Sequence, residues 1–279
     1  MPASGRLHRI GSVSRVSSPQ PAGDPLARVA ELPGVPEAAD AARAAVDRLL
    51  AHRMLRRRSA DISVEAGLRS ARASAALEGV DVPLDVLRST GSENPVLQGA
   101  LRISAELGSL SDTFSRTPMQ ALARMHLLAA ADTAPADTVG RPRISGQPAE
   151  DGPAPDTLEA NARLEGLIRL LGLPTRAPAV VVAAVMHAEL LATRPFVSGN
   201  GLVARGAARV LLLGRGLDPK ALTAPDVGHL ERADEYRSSA AAYVEGSPEG
   251  VAAFVRHCCV ALELGARESL AVCEALLRG

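Results

Sequence analysis

A glycine-flanked turn is the segment of this sequence whose residue types point most directly to chemistry. It lies within residues 194–205, which read Arg-Pro-Phe-Val-Ser-Gly-Asn-Gly-Leu-Val-Ala-Arg. Gly199 and Gly201 permit backbone conformations closed to other residues, and Asn200 between them is a favourable N-cap. A helix that begins here presents free N–H groups and the positive end of its dipole, which can bind a phosphate. Arg205, one turn further on, can reach the same ligand, so the pattern predicts an anion site.

The same residues also fit an ordinary connection between two helices. Pro195 ends the preceding helix, because the residue before a proline avoids the helical region. Turns of this composition are common, and Phe196 would then be a buried apolar plug. Composition alone leaves both interpretations open.

The elements that position this turn are predicted to be helices. Nothing in the chain is typical of a long strand, and only 141–146, in a loop with several prolines, suggests a short extended piece. The predicted fold class is therefore all-α, with one irregular loop near 133–154. After an apolar stretch from Pro36 to Arg58, the predicted helices are about 63–78, 84–89, 94–114, 117–131, 155–172, 178–192, 201–214, 226–245 and 248–277.

The chain divides into three predicted regions. Residues 1–37 are rich in Ser, Pro, Gly and Arg without an apolar period, so they are predicted to form a flexible tail. Residues 38–92 are predicted to form N-terminal helices, and residues 93–279 a helical core with the C-terminal helices.

Composition excludes several classes of function. The 279 residues carry 31 basic and 31 acidic side chains, whereas nucleic-acid binders usually have a basic excess. Aromatic residues make up 2% and Trp is absent, which disfavours base stacking on single strands. No secretory signal is visible, and the longest apolar run is too short to span a bilayer. We therefore expect a cytoplasmic protein without nucleic-acid or membrane partners.

The three cysteines predict neither a disulfide framework nor a metal site. They are Cys258, Cys259 and Cys273, and an odd count with two neighbours pairs poorly. His257, Cys258 and Cys259 are metal-ligand types, but adjacent side chains on a helix diverge by about 100° and cannot share one ion well. Small buried thiols are the expected alternative.

The turn resembles the signature of Fic (Fido) domain proteins, which reads His-Pro-Phe-x-Asp/Glu-Gly-Asn-Gly-Arg-x-x-Arg. The matching residues are Pro195, Phe196, Gly199, Asn200, Gly201 and Arg205. The resemblance extends over about residues 60–275 and implies a helical bundle whose active-site flap, a short loop or β-hairpin, corresponds here to 140–146. Further matching positions are His126, His187, Tyr236 and Tyr243.

A second motif, Ser74-Ala-Ala-Leu-Glu78-Gly79, resembles the inhibitory motif of this family, Ser/Thr-x-x-x-Glu-Gly/Asn. Ser74 and Glu78 are four residues apart and share a helix face, and Gly79 suits the helix end. Alone, the hexapeptide is more typical of a surface helix end. The resemblance implies that Glu78 pairs with the second signature arginine, Arg205.

Three signature positions have lost the family's reactive groups. Arg194 replaces the histidine that acts as general base, Ser198 replaces the acid that holds Mg²⁺, and Leu202 replaces the first phosphate-binding arginine. An arginine stays protonated and cannot accept a proton, and a neutral hydroxyl is a poor Mg²⁺ ligand. His187 as a substitute base is less favoured than a packed scaffold histidine.

Active members of the family transfer AMP from ATP to a protein hydroxyl. The resemblance therefore predicts a catalytically impaired relative that binds ATP or another nucleotide, with doubtful Mg²⁺ use, and acts as a regulatory module. Two alternatives remain: an active transferase with altered donor chemistry, and a helical interaction scaffold that binds no nucleotide. A protein target or partner is expected but not identified, and a homodimer is an open option.

Overall fold

The computed structural model describes residues 23–278, and it confirms the predicted all-α class. No strand occurs within that range, and the segment 141–146 is a loop. The helices are α1 (Pro25–Ala30), α2 (Val35–Leu50), α3 (Leu55–Leu77), α4 (Leu84–Thr90), α5 (Pro95–Ala105), α6 (Leu107–Arg116), α7 (Pro118–Ala130), α8 (Thr157–Leu171), α9 (Ala179–Thr193), α10 (Asn200–Gly214), α11 (Pro225–Glu231), α12 (Ala233–Val244) and α13 (Pro248–Arg278).

A pair of buried helices, α9 and α10, forms the centre of the fold. α9 is apolar around most of its circumference, with residues 180–188 all buried. A helix of this kind is stable only inside a protein, because every face needs apolar neighbours. The two helices pack against each other, and the loop 194–199 joins them. The predicted turn therefore lies on a rigid support.

The longest helix, α13, holds the outer elements against this centre. It packs on α2, α9, α11 and α12, whereas α3 packs on α5 and α11. The C-terminal end of α3 reaches the first turns of α10, which brings the predicted inhibitory segment to the turn. No helix among residues 23–278 is long and apolar enough to cross a membrane.

The predicted tail is wrong from residue 24 onward. Asp24 caps α1, its carboxylate accepting a hydrogen bond from the Ala27 amide at 3.0 Å, and Pro25 occupies the first helical position. Leu26 and Val35 are buried. A helix as short as α1 shows no apolar period in sequence, which is why this part resembled a tail. Residues 1–22 of the predicted tail lie outside the described residues.

Two predicted helices are each divided in the structure. The predicted helix 94–114 breaks at Glu106, where φ is −99° and ψ is 8°, and 226–245 breaks at Arg232, where φ is −119° and ψ is 41°. Neither break contains proline or glycine, so the local sequence carries no signal for it. The second break separates α11, which faces Arg205 through Asp226, from α12.

Candidate functional site

The turn before α10 is closed by the side chain of Asn200. Its Oδ1 accepts a hydrogen bond from the Phe196 amide at 3.0 Å, and its Nδ2 donates to the Phe196 carbonyl at 2.9 Å. Gly199 takes the N-cap position with φ of 70°, and no side chain caps the helix. The predicted N-cap role of Asn200 is therefore wrong, because its amide is used to close the turn instead.

Phe196 and His126 stack on each other and stabilise the turn. Their rings stack with centroids 4.1 Å apart and an interplanar angle of 11°. Nε2 of His126 lies 3.1 Å from the Ser198 carbonyl, and Nδ1 accepts from the Gly140 amide at 2.9 Å. These partners require the neutral ring with its proton on Nε2. Burial lowers the pKa of His126 to about 4, opposed in part by the Ser198 carbonyl.

A carboxylate from the neighbouring loop lies on the amides of the turn. The backbone N–H of Asn200 donates to Oδ2 of Asp151 at 3.0 Å, and its side-chain Nδ2 lies 3.1 Å from Oδ1. An anion is stabilised at this place by the free N–H groups and the dipole of α10. Asp151 was not among the predicted site residues, since nothing in its spacing distinguishes it from other acids in the loop.

Arg194 places a positive charge beside the same carboxylate. It ends α9 in the left-handed conformation, with φ of 42°, and its Nε lies 4.0 Å from Oδ1 of Asp151. Its NH1 donates to the Pro153 carbonyl at 2.7 Å. Gly152 makes this approach possible, because a Cβ there would lie 2.1 Å from that NH1 atom.

The loop that carries Asp151 is fastened along the turn by Arg143. The Arg143 amide donates to the Pro195 carbonyl at 2.7 Å, and the Glu150 amide donates to the Val197 carbonyl at 2.7 Å. The Arg143 guanidinium binds the Arg194 carbonyl at 2.7 Å. It also binds the carbonyls of residues 147, 155 and 193. The predicted flap is thus an ordered loop that packs over the site without forming a strand.

Arg205 is buried on the other side of the turn and joins it to α3. Its Nε donates to Ser74 Oγ at 2.7 Å, and its NH2 donates to Oε1 of Glu78 at 2.6 Å. Burial alone would lower the pKa of Arg205, but its pKa is raised because the oxygens of Tyr236, Glu78 and Asp226 favour the charged guanidinium. The structure therefore brings the predicted residues Ser74, Glu78 and Arg205 together.

Glu78 also approaches the first turn of α10. A Cβ at Gly201 would lie 2.1 Å from Oε1 of Glu78, so the carboxylate covers the backbone of that residue. Gly79 follows in the left-handed region with φ of 87°, which lets the chain leave α3 directly after Glu78. Two internal carboxylates, Glu78 and Asp151, thus lie at the start of one helix.

These residues border a cavity of about 680 Å³. Its wall includes Arg163, whose charge is matched by Glu189 at 3.0 Å, and Arg194 and Arg205, which face Asp151 and Glu78. A separate groove of about 490 Å³, lined in part by 58–69 of α3, lies away from the turn. The polar residues of the first cavity are Glu78, Asp151, Glu159, Arg163, Arg194, Asn200, Arg205, Tyr236 and Arg237.

At the other two replaced signature positions, the reactive group of the family is replaced by a side chain that carries no charge. Leu202 is 4% exposed and belongs to the core. The Oγ of Ser198 is buried and has no hydrogen-bond partner among residues 23–278. His187 is also buried, with Nε2 2.7 Å from the Tyr236 hydroxyl. No histidine of the described chain lines the cavity.

The Mg²⁺ that the resemblance implies does not fit the residues present. Ser198, at the position of the family's acidic ligand, offers only a buried neutral hydroxyl. The nearby carboxylates of Asp151 and Glu78 already accept hydrogen bonds from Asn200 and Arg205. Mg²⁺ needs charged oxygen ligands in octahedral geometry, and these residues do not supply them.

The fold is similar to solved structures of Fic proteins, whereas no protein-family model and no curated protein matches the sequence. A Fic family protein from Desulfovibrio desulfuricans G20 superposes with a TM-score of 0.68 at 18% identity, over 84% of this chain and 74% of that chain. Fic-1 from C. elegans gives 0.64 at 16% identity, over 86% and 73%. A Fic domain containing signaling protein from Bacteroides thetaiotaomicron VPI-5482 gives 0.58 at 14% identity, over 85% and 98%. The predicted Fic-type architecture is confirmed: this chain has the all-α fold of Fic family proteins.

Proposed function

We propose that this chain binds a nucleotide or another phosphate-bearing ligand in the 680 Å³ cavity and acts as a regulatory module. The observation that carries the proposal is the Asp151 carboxylate on the amides of Asn200. A carboxylate and a phosphate oxygen need the same donors, so the turn offers to a ligand what it now offers to Asp151. The size of the cavity is typical of ligand sites.

The bound phosphates would replace the two internal carboxylates. Arg194 and Arg205 remain as cations once Asp151 and Glu78 swing away, and the start of α10 supplies N–H groups between them. Because each cation is already neutralised, the ligand gains only the difference between its own contacts and the internal ones. We therefore expect weak binding by the wild-type chain.

We also propose that the chain is impaired as an AMP transferase. Arg194 stands where a base is needed and stays protonated at every physiological pH, and loss of general-base assistance typically costs 10²- to 10⁴-fold in rate. Leu202 is buried and Ser198 is neutral, with its Oγ buried, so neither supplies charge to phosphates in the cavity. The chain's residues are thus suited to hold and orient an anion, without a group that activates a hydroxyl.

Calorimetric titration of the full chain with ATP, ADP, pyrophosphate and adenosine tests the proposal. Three proteins are compared: wild type, Glu78→Gln and the double variant Asp151→Asn/Glu78→Gln. We expect the double variant to bind ATP and pyrophosphate at least tenfold more tightly than wild type, with no gain for adenosine. If no phosphate compound binds the double variant, the proposal fails and the interaction scaffold is favoured.

The alternative of an active transferase with another donor predicts a different result. Incubation with a panel of nucleotides and mass spectrometry of candidate proteins would then find a new adduct that disappears in Arg205→Lys. The protein target, the homodimer and the cytoplasmic location stay predictions from the sequence.

A further inference from the structure

Three side chains that can bind a metal meet in the core beside Arg205. They are His187 on α9, His229 on α11 and Cys258 on α13, all buried, and one ligand atom of each lies within 4.8 Å of the others. Sγ of Cys258 is 3.9 Å from Nδ1 of His187. The three helices are distant in sequence, so the fold, not a local motif, assembles this cluster.

Hydrogen bonds fix which nitrogen each ring turns inward. Nε2 of His187 is bound by the Tyr236 hydroxyl at 2.7 Å, which leaves Nδ1 toward the cluster. Nδ1 of His229 lies 3.0 Å from Nε2 of His257, and Nδ1 of His257 lies 3.3 Å from a Glu235 oxygen. Histidines that bind metals are oriented by such second partners on the opposite nitrogen.

The cluster has room for one more small ligand. A cavity of about 20 Å³ is lined by the three residues together with Arg205 and Asp226. A water molecule needs roughly 10–15 Å³ of such space. A water there would complete a four-membered ligand set around an ion.

The two imidazoles are in the protonation state that binds metals, whereas the thiol has to lose its proton. Burial and, to a smaller extent, the nearby Arg205 cation lower the pKa of His187 and of His229, so both rings are neutral, which is the form that binds metals. Burial raises the pKa of the Cys258 thiol, so an ion that binds here must displace its proton. The buried carboxylate of Asp226 lies 3.7 Å from the Arg205 guanidinium and offsets its positive charge next to the cluster.

We propose that His187, His229 and Cys258 bind one Zn²⁺ ion, with water as the fourth ligand. Zinc takes thiolate at about 2.3 Å and imidazole at about 2.0 Å in tetrahedral geometry, so the ligand atoms need to close in by about 1 Å. Mg²⁺ and Ca²⁺ prefer oxygen ligands. Binding releases the thiol proton to solvent and ties α9, α11 and α13 together. None of the three ligand residues lines the nucleotide cavity, although Arg205 borders both spaces, so either proposal can fail alone.

Metal analysis of the full chain tests the site. Because the cluster is buried, the ion has to enter during folding; the protein is therefore refolded from denaturant with one equivalent of Zn²⁺ or Co²⁺ and then freed of loose metal. We expect one zinc per chain, and a thiolate-to-cobalt charge-transfer band with tetrahedral visible bands in the cobalt form. A wild-type chain that refolds without retaining either metal overturns the proposal.

Neighbouring cysteines provide matched variants. Cys258→Ser is expected to lower metal retention at least tenfold and to abolish the charge-transfer band, whereas Cys259→Ser, one residue further along the same helix, keeps both. His229→Gln is a second ligand variant in case Cys258→Ser does not fold, as judged by circular dichroism. Equal metal retention in wild type and in a folded ligand variant would show that the ion binds elsewhere.

Discussion

Asp151 and Asn200 are joined twice: the carboxylate of Asp151 accepts from the backbone N–H of Asn200 and from its side-chain amide, both at 3.0 Å to Oδ2. The same asparagine amide closes the turn on Phe196. Asp151 thus accepts hydrogen bonds at the turn where the sequence pattern predicts a bound phosphate. Together with Glu78 at Arg205, it makes the site self-complementary in charge.

Removing this internal anion should strengthen ligand binding. In Asp151→Ala, the Asn200 amides and Arg194 lose their carboxylate partner, so a phosphate no longer competes with Asp151 for these groups. Hydrogen bonds to charged groups contribute about 1.5–3 kcal/mol when buried. The Asp151 side chain is 22% exposed, so we expect about 1 kcal/mol, roughly a fivefold lower Kd for pyrophosphate, measured by calorimetry.

Asp137→Ala is the matched control for that variant. Asp137 is an exposed acid of the same loop region and does not line the cavity, so it changes net charge equally without touching the turn. An equal gain in both variants would mean that general electrostatics, and not the Asp151 contact, limits binding.

The sequence predicted one of the two internal anions but not the other. Ser74, Glu78 and Arg205 are recognisable because their types and spacing match two family motifs, and the structure brings them together. Asp151 lies in an irregular loop whose path depends on the Arg143 contacts, and no periodicity encodes such a path. The breaks at Glu106 and Arg232 could not be predicted either, since neither break contains proline or glycine.

AMP transfer should be absent from wild type and from Glu78→Gly. With labelled ATP and Mg²⁺, neither protein is expected to label itself or added proteins above background, because Arg194 accepts no proton. The measurement is autoradiography of the gel-separated reaction. Robust labelling by either protein would refute the impaired assignment.

Restoring the signature is expected to be limited by Leu202. Arg194→His and Ser198→Asp change residues at the turn, but Leu202→Arg places a guanidinium where the leucine is 4% exposed. Burying an unpaired charge is costly, so we expect Leu202→Arg to destabilise the chain by about 3 kcal/mol or more, measured by urea unfolding. Leu202→Met, which conserves volume, should cost less than about 1.5 kcal/mol. Equal stability of the two variants would show that this position opens readily to solvent.

Arg205 should be a main contributor to stability as well as to the site. Its side chain is 3% exposed and faces Asp226, which is 2% exposed, at 3.7 Å. Arg205→Ala leaves that carboxylate without one of its cations, and breaking a buried pair in this way costs about 3–5 kcal/mol. Urea unfolding measures the loss.

Arg237→Ala provides the comparison for Arg205. Arg237 also lines the cavity, but its ion pair with Asp234 is on the surface, so we expect a change within about 0.5 kcal/mol. If the two alanine variants were equally stable, the buried contacts of Arg205 would be dispensable for folding.

The environment of His126 makes the stability of the fold depend on pH in a defined window. An unfolded histidine titrates near 6.5, whereas burial lowers the pKa of His126 in the fold to about 4. Between these values the unfolded chain binds more protons, so the free energy of unfolding decreases as pH falls from 6.5 toward 4. At roughly 1.4 kcal/mol per pKa unit, His126 accounts for about 3 kcal/mol of that loss. The pKa values of buried His187 and His229 are also lowered, so these residues add to the loss of unfolding free energy at low pH.

The variant His126→Gln isolates this contribution, because a glutamine amide retains one donor for Ser198 and one acceptor for Gly140 but does not titrate. Urea unfolding at pH 7.5, 6 and 5 should show a smaller loss of stability for His126→Gln than for wild type. The variant is expected to be less stable than wild type at pH 7.5, because it lacks the ring stack with Phe196. A histidine NMR titration gives an independent reading: the ring signals of His126 should stay in the neutral position down to pH 5. Parallel stability profiles, together with a ring that titrates near 6.5, would show that burial does not hold His126 neutral.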